Sequence, residues 1–190
     1  MVAEIPRHLQ TDRLPEILII SGPPGVGKTT TAGILAGRNG PSVHLEADTF
    51  FRFIRSGYVE PWKAESHEQN EVVMRIVAEA ASGYARAGYF TIVDGIVIPG
   101  WFFEPLRDAL HDLGHRVAFA VLRIPRSVCV ARVNEREGGS ISDPDAIGQI
   151  WQGFAELGDL ERHAIDVEDM TPEETATLLT LRLDEGDLGA

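Results

Sequence analysis

Five apolar runs punctuate the chain, and each gives way to a glycine, an acid or an arginine. Ile17-Leu18-Ile19-Ile20 is unbroken by polar residues and stops at Ser21-Gly22-Pro23-Pro24-Gly25. A run without alternation reads as a strand buried on both faces, hence part of a parallel sheet. Ser42-Val43-His44-Leu45 is a weaker second strand leading into Glu46-Ala47-Asp48. Phe90 to Val93 is a third, ending at Asp94-Gly95. Val117 to Leu122 is a fourth, followed by Arg123, and Ala164 to Val167 a short fifth. Between the runs the spacing becomes helical. Lys28 to Arg38 predicts a helix that Gly37 and Gly40 end and Pro41 cannot continue. A second is expected from Ser66, where Gln69 completes a capping box. Val73, Ile76, Val77, Ala80 and Tyr84 form its apolar stripe, and Gly88 its C-terminal cap. Glu104 to Leu113, Ser127 to Arg136 and a segment opened by Thr171-Pro172-Glu173-Glu174, a capping box with proline at the first helical position, complete the set. Strands alternating with helices predict a three-layer α/β fold around a five-stranded parallel sheet. Ligands then bind at the carboxyl ends of the strands, so Gly22, Asp48, Asp94, Arg123 and Val167 are expected around one crevice.

Composition narrows this picture. At 190 residues, 44% of them hydrophobic, the chain suits one domain, 1–190, with a sizeable core. A net charge of −12 disfavours duplex nucleic acid or an anionic membrane as partner. Only two of the seventeen basic residues are lysines, and one of them is Lys28. The lone cysteine, Cys129, lies between Val128 and Val130 and reads as a small buried hydrophobe. Glu4, Arg7, His8, Asp12 and Arg13 leave no apolar signal core near the start, and no apolar run approaches the ~20 residues needed to span a bilayer. A cytoplasmic protein is the expectation.

The chemistry is concentrated in Gly22-Pro23-Pro24-Gly25-Val26-Gly27-Lys28-Thr29, set between strand and helix, with Thr30 directly after it. This is the G-x-x-x-x-G-K-[ST] phosphate loop: glycines admit unusual dihedrals, backbone amides wrap the phosphates, and the following helix points its positive end at the anion. In it, Lys28 meets the β- and γ-phosphates of ATP and the Thr29 hydroxyl ligates Mg²⁺. A GTPase would carry Asn-Lys-x-Asp, which is absent, and a large motor or AAA ATPase would need more chain. A small kinase fits the length.

The remaining pattern supports a more specific resemblance. Glu46-Ala47-Asp48 follows the second strand, Asp94-Gly95 the third and Arg123 the fourth. Arg132 and Arg136 precede a polar stretch running to Pro144 and including Gly138 and Gly139, and the chain closes with Ile165-Asp166-Val167 and Thr171-Pro172-Glu173-Glu174. From about residue 16 to 183 the chain resembles the P-loop kinase superfamily of nucleoside monophosphate, shikimate and gluconate kinases. Within it, the chain is most similar to small-molecule kinases of the chloramphenicol phosphotransferase type, with zeta-toxin-type kinases more distant. The resemblance implies a P-loop NTPase fold with a substrate-binding region at about 48–70 and a lid at about 132–150. It implies ATP and Mg²⁺ as cofactors and transfer of the γ-phosphoryl group to a hydroxyl of a small molecule.

By the same resemblance, Asp48 stands where such kinases keep the carboxylate that accepts the hydroxyl proton; its other reading is a helix-capping or loop acid. Asp94 is placed to support the Mg²⁺ shell or to act as the base itself. Arg132 and Arg136, four apart on one helix face, are the lid cations that would clamp the phosphates. Arg123 either reaches phosphate or closes an ion pair, and Glu46 is a weaker candidate. Aromatics from Phe50 to Trp62, and Trp101-Phe102-Phe103, flank the expected acceptor pocket or fill core. The chain departs from adenylate kinases, which carry Asp-Gly-Phe-Pro-Arg after the third strand. Asp94-Gly95-Ile96-Val97-Ile98-Pro99-Gly100 lacks that arginine, which favours an uncharged alcohol. Two alternatives stay open: a nucleoside or nucleotide kinase using Arg52 or Arg55, and a nucleotide-responsive module whose aromatics dock a protein.

Overall fold

A computed structural model describes residues 17–135 and 144–190. Arg136, Gly138, Gly139 and His8, named above, lie outside the described residues. Strands β1 (Ile17–Ser21), β2 (Ser42–Glu46), β3 (Phe90–Asp94), β4 (Val117–Arg123) and β5 (Ala164–Asp166) form one sheet in the order β2-β3-β1-β4-β5. Every neighbouring pair is parallel. The register sets Ile20 of β1 opposite Asp94 of β3, and Asp94 opposite Glu46 of β2. The carboxyl ends of the three strands therefore meet at one edge. The chain leaves β1 there with β3 on one side and β4 on the other, the position at which open parallel sheets bind ligands.

Both faces of the sheet are covered. The helices are α1 (Lys28–Arg38), α2 (Ala47–Arg52), α3 (His67–Arg86), α4 (Phe103–Asp112), α5 (Arg126–Asn134), α6 (Pro144–Gln152) and α7 (Pro172–Glu185). Ile17 and Ile19 enter a core shared with Val77 of α3 and Phe103 and Leu106 of α4. Leu18 and Ile20 enter a second core with Leu35 of α1 and Leu179 of α7. All four β1 residues are fully buried, which is why β1 reads as an unbroken apolar run.

Some local expectations are revised. The capping box at Ser66 does not form: its Oγ donates to the carbonyls of Pro61 (2.7 Å) and Lys63 (2.6 Å). Gln69 instead bonds both backbone groups of Val59, at 2.9 and 2.6 Å. Nearby backbone groups outcompete the helix terminus for these side chains, and α3 opens through a 3-10 turn, Ala64–Ser66. Its buried stripe is Val73, Met74, Val77, Ala78 and Ala81, while Ile76 and Tyr84 are 44% and 43% exposed. Helix α1 ends on Asn39, whose side-chain amide donates to the Leu35 carbonyl at 2.8 Å, with Gly37 still inside the helix. The capping box at Thr171 is present in both directions. Helices α2 and α6 were not anticipated, and α6 covers the last part of the segment expected as a lid.

Candidate phosphate-binding and catalytic site

The loop after β1 turns at Gly22, whose φ is +141°. A Cβ added there would collide with the carbonyl oxygen of Leu122 on β4, so the chain passes this point only as glycine. At Gly25 (φ +77°) a Cβ would come within 3.2 Å of the Arg132 Cβ, so α5 lies directly against the loop. The Val26 amide donates to the Pro23 carbonyl at 3.4 Å and its side chain is buried. Gly27 is the N-cap of α1 and offers no side-chain acceptor. The first-turn amides of α1 thus keep their hydrogen-bonding capacity and the positive end of the helix for an anion. The Lys28 ammonium donates to the carbonyls of Gly22 (2.9 Å) and Pro23 (3.0 Å), folded over the loop it belongs to. Thr29 and Thr30 are exposed on the first turn of α1.

Asp94, 3% exposed at the end of β3, accepts hydrogen bonds through both carboxylate oxygens. The Thr29 hydroxyl donates to Oδ2 at 2.7 Å, and His44 Nε2 lies 2.8 Å from Oδ1. An N–H on His44 Nε2 would donate to this carboxylate. His44 comes from the neighbouring strand β2 and fixes the rotamer that turns Oδ2 toward the phosphate loop. Thr29 and Asp94 together present hard oxygen donors, a pair that suits Mg²⁺, which retains several waters and takes few protein ligands. Among the described residues no group of three or more His, Cys, Asp or Glu is gathered to hold a metal. With the uncapped helix and the glycine-only passage at Gly22, the residues fit a Mg²⁺-nucleoside triphosphate.

Asp48 lies in the first turn of α2, half-buried in the wall of a cavity of about 420 Å³. Burial raises its pKa above the ordinary carboxylate value; Lys28 opposes this, Asp94 adds to it, Arg52 opposes and Glu46 adds. The balance remains upward, and the Lys28 contribution places Asp48 within electrostatic reach of the phosphate loop. Phe51, Trp62, Trp101 and Phe102 line the cavity beside Asp48 and Arg52. Trp101 stacks on Phe102 with centroids 4.4 Å apart, and Phe51 meets Phe102 edge-on at 6.5 Å. The aromatic stretches divide accordingly. Phe103 belongs to the core, stacked on Phe119 at 3.9 Å, and Phe53 is 67% exposed.

Helix α5 closes over the loop from the other side. Cys129 Sγ donates to the Pro24 carbonyl at 3.0 Å and Arg132 Nη1 to the Gly25 carbonyl at 3.4 Å. Cys129 is fully buried and burial pushes its thiol pKa up, so it packs against the loop as an inert group. Arg123 closes ion pairs with Glu161 (2.6 Å) and Asp166 (3.2 Å). It also lines a second recess of about 470 Å³ with Pro23, Trp151 and Glu168. Glu46 is exposed at the sheet edge. The structure therefore brings Lys28, Thr29, Asp94, Asp48 and Arg132 to one place. His44 was not among the expected site residues; the one local sign of it is parity, since it lies two residues before Glu46, which the register pairs with Asp94.

Several solved structures share this fold. The chain resembles a tunicamycin resistance protein from Deinococcus radiodurans (TM-score 0.65, 21% identity, covering 90% of this chain and 96% of that one). It resembles a sugar kinase from Janibacter (TM-score 0.67, 24% identity, 88% and 94% covered). It also resembles the APS kinase of Mycobacterium tuberculosis in complex with AMPPNP and APS (TM-score 0.64, 14% identity, 90% and 98% covered). At these identities the likeness is one of fold: the chain has the α/β fold of P-loop small-molecule kinases. No curated protein sequence matches it significantly. The family model that matches is described as an AAA domain, a name the length argument had set aside; that argument excludes the large machines and not a domain of this size. Because that match runs over residues 17–155, from β1 through α6, the chain belongs to the AAA domain family.

Proposed function

We propose that the protein is an ATP- and Mg²⁺-dependent kinase that transfers the γ-phosphoryl group to a hydroxyl of a small molecule. One observation carries the reading: the Asp48 carboxylate stands in the wall of a ligand-sized cavity and is also within electrostatic reach of Lys28 on the phosphate loop. An acceptor in that cavity would have its hydroxyl between a base and a phosphate. Asp48 takes the hydroxyl proton, the acceptor oxygen bonds to the γ-phosphorus, and the bond to the bridging oxygen breaks to release ADP. Lys28 and the loop amides hold the phosphates, with Arg132 from α5 and Arg136 as the arginines that close over them. Thr29 and Asp94 would hold a Mg²⁺ ion, which when bound withdraws charge from the phosphates. Most of the acceleration in such transfers comes from positioning and charge neutralisation, which this arrangement supplies.

The fold neighbours support the reading in kind: one is a sugar kinase and another binds AMPPNP together with APS. Among the described residues no helix is long and apolar enough to cross a membrane, and we place the activity in the cytoplasm, where ATP is available. A second reading is an acceptor carrying a phosphate, such as a nucleotide, which Arg52 in the cavity wall would have to meet although Asp48 in the same wall offsets its charge. A screen of small alcohols, antibiotics, nucleosides and nucleotides for acceptor-stimulated ADP release tests the proposal. An alcohol that stimulates release supports it. Stimulation by nucleoside monophosphates alone selects the second reading. Tight nucleotide binding with no turnover for any acceptor would show a nucleotide-responsive binding module instead.

A further inference from the structure

The cavity at Asp48 is one-sided in its chemistry. Charged or hydroxyl groups in its wall come only from Asp48, Arg52 and Tyr58 among the described residues, and Trp62 and Trp101 each add one indole N–H donor. The rest is aliphatic or aromatic, with Trp62, Trp101, Phe102, Ile96 and Ile150 prominent. Among the described residues no Asn, Gln, Ser, Thr, His or Lys lines it. These walls are set before any ligand arrives: Phe102 is 6% exposed under the Trp101 stack, and Ile150 is 4% exposed on α6.

Three consequences follow from elementary solvation. A polyol needs a partner for each hydroxyl it buries, and each one left unpaired weakens binding roughly tenfold or more. Asp48 is already committed to the reacting hydroxyl, so Arg52, Tyr58 and the indole N–H groups of Trp62 and Trp101, which can only donate, would have to serve every other one. An anion gains little, because the charges of Asp48 and Arg52 oppose each other in the same wall. An apolar ring gains on every side, by area removed from water and by stacking on Trp62 or Trp101. The volume of about 420 Å³ falls in the range that takes a drug-sized molecule.

We propose that the acceptor is an uncharged, largely apolar alcohol carrying one or more rings, and that sugars, sugar acids and phosphorylated compounds are excluded by the wall. The inference rests on the kinase reading for the role of the hydroxyl but not for the binding preference.

The test is titration calorimetry on the full chain with benzyl alcohol, naphthylmethanol, glucose, gluconate and AMP, with acceptor-stimulated ADP release measured in parallel. The expected result is that naphthylmethanol binds about tenfold or more tighter than benzyl alcohol, while glucose, gluconate and AMP show no saturable binding. Trp101→Gln should cost naphthylmethanol about tenfold or more. Because that change unstacks Phe102, Trp62→Gln is the second variant, and the Mg²⁺-ATP thermal shift reports that each is folded. No gain from the second ring, or tighter binding of glucose, gluconate or AMP than of naphthylmethanol, overturns the proposal. Binding of naphthylmethanol with no ADP release from any ring-bearing alcohol defeats the kinase reading and supports this one. ADP release driven by glucose or gluconate alone does the reverse.

Discussion

Two acids near the strand ends, Asp94 and Asp48, differ most in their surroundings, and the roles proposed for them follow from that. Asp94 is held by Thr29 at 2.7 Å and by His44 at 2.8 Å, beside the phosphate loop. Asp48 lines the cavity proposed to take the acceptor. A base needs only to reach the acceptor hydroxyl, whereas a residue supporting the metal must act whether or not an acceptor is present. Asp48→Asn is therefore expected to keep near-normal Mg²⁺-ATP affinity by calorimetry and to lose about 10²-fold or more in acceptor-dependent ADP release. Asp94→Asn should weaken Mg²⁺-ATP binding itself, and His44→Ala should weaken it less, by freeing the carboxylate to rotate. Normal turnover in Asp48→Asn, with normal binding but no turnover in Asp94→Asn, would reverse the assignment. Burial also gives Asp48 a pH signature. Its folded pKa lies above the ordinary 3.8, so stability from the protonated form is complete below 3.8 and lost as pH rises through the raised value. At neutral pH the buried charge is a cost, so Asp48→Asn should raise the apo Tm there. In the wild type, the acidic limb of kcat/KM should fall above the usual carboxylate range.

At the scale of elements, legibility in the sequence followed the strength of the local signal. Strands β1, β3 and β4 were readable because burial on both faces demands unbroken apolar runs, and α1 because the glycine-rich loop fixes its start. Helix α2 was not, since it has six residues and its N-cap, Glu46, is itself the last residue of β2. Helix α6 was not read from the sequence because the polar residues before Pro144 dominated the reading; its Ile147 and Ile150 enter the two cores. The phosphate loop was legible residue by residue. The partnership of His44 with Asp94 was not, because it depends on a strand order that no local pattern encodes. The two capping boxes show the same limit: identical logic succeeded at Thr171 and failed at Ser66, where the carbonyls of Pro61 and Lys63 lie closer to hand. That difference predicts different phenotypes. Thr171→Ala should cost about 1 kcal/mol, read as a Tm lowered by roughly 2–4 °C, with acceptor and nucleotide affinities unchanged. Ser66→Ala removes the clasp that Asn70 shares with Pro61 and Ser66, at 2.8 Å to each. It should therefore loosen the segment bearing Pro61 and Trp62 and raise the acceptor KM. Equal acceptor KM in both variants would show that the clasp does not hold the cavity wall.

For the whole molecule, stability is linked both to protons and to nucleotide, and the two can be read separately. His163 is fully buried between β4 and α7, its Nδ1 3.0 Å from the Phe119 carbonyl, while Arg162 donates to Nε2 at 3.1 Å. Both contacts suit the neutral ring, and burial, then the charge of Arg162, hold its pKa below the ordinary 6.5. Above 6.5 neither folded nor unfolded chain is charged at this site; as pH falls below 6.5 the unfolded chain binds the proton first, so stability drops until the lower folded pKa is passed. The Tm should thus fall between neutral pH and the acid range, and His163→Gln should flatten that fall. Nucleotide acts in the opposite direction and through different residues. A ligand that binds only the native state at a hundred times its Kd stabilises by about 2.7 kcal/mol, which for a chain of this size is a Tm rise of roughly 5–10 °C. Mg²⁺-ATP at millimolar concentration should produce such a rise. Lys28→Ala should abolish most of it while leaving the protein folded without nucleotide, because the Lys28 ammonium bonds to the Gly22 and Pro23 carbonyls of its own loop. Gly22→Ala should differ in kind, lowering the apo Tm as well, since its Cβ has nowhere to go beside Leu122. Differential scanning fluorimetry on the three proteins, with and without Mg²⁺-ATP, separates a loop that binds phosphate from a glycine turn that only joins β1 to α1: the second leaves all three proteins indifferent to the nucleotide.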